Sequence, residues 1–151
     1  MIKYTITSIL LISLLLQSCS NDVNLHEHKK MQISGKIGEN KIIKTAANAF
    51  NKQDYNLANV HLSRISEYFK KNDEIQLFYA ISLMETDQID MANMVLSRIV
   101  KGNSQYKDDA LWYLGVIAFQ NNDKETCKIY LKQISKKSDV IEKVKLLLKQ
   151  L

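Results

Sequence analysis

Proline is absent from all 151 residues, and glycine occurs only four times. Sheet-rich folds need many tight turns and usually carry more of both, so the shortage points to helices joined by short polar turns. Cysteine is scarce as well. Cys19 and Cys127 make one disulfide arithmetically possible, but each has a better explanation, given below. No Ser-His-Asp order, paired-carboxylate motif, glycine-rich phosphate loop or HExxH is present, and no enzyme activity is expected. The net charge of +5 becomes +4 if Lys3 leaves with a leader (20 basic minus 16 acidic side chains). That is far from the dense basic patch of a nucleic-acid binder. What is present is 46% apolar and 25% charged residues, the balance of a folded globular chain with one core.

The first residues read as a targeting segment. Lys3 precedes the apolar run Ile9, Leu10, Leu11, Ile12, Ser13, Leu14, Leu15, Leu16. Such a run is too short for a hydrocarbon core, which takes roughly 20 residues of helix, but suits a signal peptide. Leu16-Gln17-Ser18-Cys19 follows. It resembles the lipobox of bacterial lipoproteins, with an aliphatic residue, then a small residue, then the cysteine; Gln17 stands where the family usually has a small residue. The resemblance implies a signal peptide over residues 1–18, cleavage between Ser18 and Cys19, and a diacylglycerol on the Cys19 thiol, with further acylation of the new amine. It also implies a place in the bacterial cell envelope, with the outer membrane as the expected site. Two or three acyl chains anchor stably where one does so marginally.

Residues 19–39 are polar, with Gly35 and Gly38 and no sustained period, and are expected to form a flexible lipid tether. His26 and His28 flank Glu27 there, but nothing nearby completes a coordination set, so no metal is expected. Ser20-Asn21-Asp22 weakly resembles the acidic export tags of some Bacteroidetes surface lipoproteins.

From residue 40 onward the chain repeats itself. Leu62-Ser63-Arg64-Ile65 recurs as Leu96-Ser97-Arg98-Ile99 after 34 residues, and more loosely as Leu131-Lys132-Gln133-Ile134 after 35 more. Ala46, Ala80 and Gly115 keep the same phase. So do Ala58, Ala92 and Cys127; Ala49, Leu83 and Ala118; and Phe50, Met84 and Phe119. Small residues at fixed places on such a period mark a solenoid of helical hairpins. Helices are expected near 40–52 and 55–70, 73–85 and 89–101, 106–121 and 124–135. A last amphipathic segment, 138–151, places Val140, Ile141, Val144, Leu147, Leu148 and Leu151 on one face. It is expected to cap the stack, with Lys143, Lys145 and Lys149 outward.

The third copy is similar to a tetratricopeptide repeat: Leu111-Trp112-Tyr113-Leu114-Gly115, Asn121-Asn122-Asp123, then Cys127, Leu131 and Ile134. Asp54-Tyr55 and Ala58 in the first copy are close to the family's acidic-aromatic turn. The usual closing proline is missing throughout. The expected fold is therefore all-α: about three tetratricopeptide-like hairpins plus a C-terminal capping helix, over residues 40–151.

In that family the first helix of each pair lines a concave groove. The resemblance implies a groove of Ile43, Ala47 and Phe50, then Leu77, Ile81 and Met84, then Trp112, Val116 and Phe119. An exposed apolar wall of this kind marks a binding site. Two other readings stay open: these side chains are shared core, or the preceding segment (Met31, Ile33, Ile37) folds back over them. Cys127 takes a position held by alanine elsewhere and reads as core rather than a reactive thiol. His61 reads as packed or half-exposed. Lys124, Lys128 and Lys132, extended by Lys136, form a stripe that reads as a solvated face, with an anionic contact as the functional alternative. The expected function is a membrane-anchored interaction module or scaffold, binding a peptide or protein segment in the groove without a cofactor, metal or nucleic acid. The alternative is an assembly subunit of an outer-membrane complex that uses its convex or end surfaces.

Overall fold

The computed structural model describes residues 23–33, 35–38 and 40–151. The expected leader, the expected cut between Ser18 and Cys19 and the expected lipid on Cys19 all fall outside the described residues. Those residues form eight helices and no strand: α1 (Gly35–Gly38), α2 (Lys41–Asn51), α3 (Tyr55–Tyr68), α4 (Asp73–Glu85), α5 (Ile89–Lys101), α6 (Lys107–Gln120), α7 (Lys124–Leu131) and α8 (Ile141–Leu148). Adjacent helices pack in pairs, α2 on α3, α4 on α5 and α6 on α7; α4 also touches α6 directly.

Local chemistry sets the boundaries. Side chains of Asn40, Asp54, Asn72 and Asp123 accept hydrogen bonds from the free amides that open α2, α3, α4 and α7. Gln88, which precedes α5, makes no such bond. Within each pair the chain turns in the same way. Gln53, Asp87 and Asn122 all sit in the left-handed region, at φ of 62°, 61° and 60°. The next amide then closes onto a carbonyl five residues back: Asp54 to Ala49 (2.9 Å), Gln88 to Leu83 (2.8 Å) and Asp123 to Ala118 (2.9 Å). This is the six-to-one bond of a Schellman ending, and its φ favours glycine, which none of the three positions has.

Packing follows the small residues. Ala46, Ala80, Ala58, Ala92 and Cys127 are fully buried. A Cβ on Gly115 would stand 2.9 Å from Leu131 Cδ2, so α6 and α7 approach as closely as they do because that side chain is missing. α4 and α6 are the central helices: 75–84 and 110–118 are buried without a break. The buried Gln76 amide donates to the carbonyls of Ser66 (2.9 Å) and Phe69 (3.2 Å) and accepts from Arg98, tying the end of α3 to α4 and α5.

Two expected boundaries shift. α7 stops at Leu131 rather than near 135, because the Gln133 and Ile134 amides bond three residues back and tighten the last turn. Ile134 still reaches the core, at 6% exposed. α8 is shorter than 138–151, though Val140, Val144 and Leu147 are buried as its pattern requires. Lys145 and Lys149 are exposed, but Lys143 is not simply outward: it bonds Glu27.

Candidate functional site

The segment expected to be a free tether is, over residues 23–33, docked on the first helices of the pairs. Met31 is 1% exposed. Its amide donates to Asn51 Oδ1 (2.8 Å), and its carbonyl accepts from Asn51 Nδ2 (3.1 Å). One asparagine at the end of α2 thus satisfies both backbone groups of Met31. Val23, Leu25, Ile33 and Ile37 also pack against the core.

Two histidines hold the segment at the end of α4. His28 Nε2 and His26 Nδ1 each lie 3.0 Å from Glu85 Oε1. His28 Nδ1 lies 3.1 Å from the Tyr113 hydroxyl. Every group is satisfied when Tyr113 O–H donates to Nδ1 and Nε2–H donates to the carboxylate. The His28 ring is sealed among aromatics, with centroids 5.5 Å from Tyr113, 5.7 Å from Tyr55 and 6.2 Å from Phe50. Partial burial works against the charge on Glu85, but the hydrogen bonds from His28 and His26 outweigh it and hold the carboxyl below its ordinary range. Burial pushes the Tyr113 hydroxyl far up, so it stays protonated. At the surface, Lys29 pairs with Asp109 (2.9 Å) and Glu27 with Lys143 (3.1 Å).

The nine expected groove residues come together, but not as an open wall. Ile43, Phe50, Leu77, Ile81, Met84, Trp112 and Val116 are all buried, none more than 6% exposed; Ala47 and Phe119 are half-buried. The seven buried residues belong to the hydrophobic core, and Met31 from the preceding segment is buried in the same cluster, with Ile33 and Ile37 partly buried against it. His26 and His28 serve a carboxylate. Among the described residues no group of three or more His, Cys, Asp or Glu is placed to hold a metal ion. Cys127 is fully buried, and burial raises its thiol to about 11, which fits packing rather than reactivity. His61 is half-buried.

Apart from Ile42 on α2, the exposed large apolar side chains among the described residues lie on the second helices. Val60 (51% exposed), Met94 (69%) and Ile129 (61%) occupy one phase, 34 and 35 residues apart, on α3, α5 and α7. Leu57 and Met91 stand one turn before Val60 and Met94 and are exposed too. Between α5 and α7 a furrow of about 350 Å³ opens, lined by Asn93, Ser97, Ile117, Thr126 and Tyr130 among others. The sequence reading overlooked this row, although the spacing that revealed the core also contained it. It overlooked Glu85, Tyr113 and Asn51 as the receivers of the N-terminal segment; the hint was a scatter of apolar residues in a polar tract, Val23 and Leu25 as well as Met31, Ile33 and Ile37. No protein-family profile, curated protein or solved structure matches this chain.

Proposed function

We propose that this protein is a lipid-anchored interaction module of the bacterial envelope. On this reading it is a stack of three tetratricopeptide-like hairpins with α8 as its cap, whose working surface is the convex face formed by α3, α5 and α7. The carrying observation is a contrast in burial: seven of the nine positions expected to line a groove are buried and residues 23–33 bond the helices that carry them, while an apolar row is exposed on the second helices. Isolated exposed apolar residues need no explanation, but three in one phase, with two more one turn earlier, fit a surface of the kind that partners cover. On this reading the module acts by holding a protein partner rather than by catalysis, and Cys19 supplies the anchor.

The test is crosslinking and affinity capture from the native membrane. Capture with Met94→Glu or Ile129→Glu is expected to lose partners that the unchanged protein retains. An unchanged partner set would sink the convex-face reading. A second reading has its own support: Asn51 grips the Met31 backbone as a groove grips an extended peptide. On that reading a foreign segment replaces residues 23–33 in the concave face, and His28→Ala, which loosens the resident segment, increases capture.

A further inference from the structure

Charge is arranged about the exposed row in a definite order. On α5, Arg98 and Lys101 follow Met94 by four and seven residues; Asp90, and Asp87 in the turn before the helix, precede it by four and seven. On α7 and its extension, Lys132 and Lys136 follow Ile129, while Glu125 and Asp123 precede it. On the α3 side, Arg64 and Lys71 follow Val60, and Asp54 precedes it. All of these side chains are exposed. Three charges run against the order. Glu67 pairs with Lys70 at 2.8 Å, Lys128 pairs with Glu125 at 3.2 Å, and Lys124 stands among the acids. Arg98 is in addition bonded to Gln76.

One reversed helix separates each second helix from the next, so α3, α5 and α7 run the same way. Their acidic starts share one edge and their basic ends the other, with the apolar row between. An interface between identical copies must be self-complementary. A two-fold axis along the row lays α5 of one copy antiparallel on α5 of another. Arg98 and Lys101 then face Asp90 and Asp87 of the second copy, and Met94 meets Met94. An axis along the helices instead sets base on base. An anionic bilayer would attract the basic edge but repel the acidic one on the same face.

We propose that two copies of this chain associate through the α3–α5–α7 face, about a two-fold axis along the Val60–Met94–Ile129 row. The inference rests on the reading of this face as the partner surface. Sedimentation velocity of the mature chain carrying Cys19→Ala, so that acyl chains cannot drive association, tests it. A dimer is expected, weakened by added salt and by Asp90→Lys. Met94→Glu and Ile129→Glu are each expected to weaken it at least about tenfold, as truncation of a central contact does. Both positions are exposed, and unchanged helical circular dichroism will show that the variants fold. A monomer at concentrations on the order of 100 μM, or a dimer indifferent to both substitutions, overturns the proposal. A monomer that still loses its membrane partners with Met94→Glu overturns self-association alone and leaves the convex-face reading standing.

Discussion

His28 shows how much one side chain holds in place. It joins a buried hydroxyl on α6 to a carboxylate on α4, and its loss strips a partner from each. His26 still holds Glu85, but leaving the buried Tyr113 hydroxyl unpaired costs about 1–3 kcal/mol. His28→Ala is therefore expected to lower stability by roughly 2 kcal/mol in chemical denaturation and to speed hydrogen exchange at the Met31 amide. Acid acts on the same contact. Because the Glu85 carboxyl is held below its ordinary value in the folded state, its contribution is fully present above the unfolded value and is lost as pH falls through the folded one. Exchange at Met31, measured against a remote core amide, is expected to rise selectively across that acid window and to stay flat above it. A profile unchanged by Glu85→Gln would remove Glu85 as the cause.

At the scale of the helix, α3, α5 and α7 begin alike but not equally well. Asp54 and Asp123 cap their helices through the Leu57 and Thr126 amides, both at 3.0 Å. Gln88 makes no such bond, because its extra methylene carries the amide past the helix end, to Thr86 instead. Gln88→Asp is expected to stabilise the fold by about 1 kcal/mol, the usual worth of a good cap, seen as a higher denaturation midpoint at unchanged slope. This element scale was the most legible in sequence. The helix starts could be read because caps and core spacing are local. The end of α7 could not, because three-residue closure after Leu131 leaves Ile134 in the core without continuing the helix.

At the scale of the molecule, and on the lipoprotein reading, docking changes how far the domain can stand from a membrane. A free segment of residues 19–39 reaches roughly 70 Å at about 3.5 Å per residue. With residues 23–33 docked, the link from Cys19 to Val23 reaches at most about 14 Å. On the lipoprotein reading, energy transfer between a lipid dye and a label on α8 is expected to be strong and to fall with His28→Ala. Cys19→Ala is expected to release the protein into the soluble fraction, and persistent membrane association would count against the lipid.

The sequence by itself determined the helical class, the paired phase of 34 and 35 residues, and the small positions where helices meet, because each depends on neighbours along one helix or on periodic spacing. Only the tertiary structure decided which face was left open. The same apolar pattern describes a groove wall and a core, and burial separates them: Trp112 is 2% exposed and Met94 69%. Burial depends on residues far apart in the chain coming together, as Met31 meets Asn51 and His28 meets Glu85, contacts that no local period records.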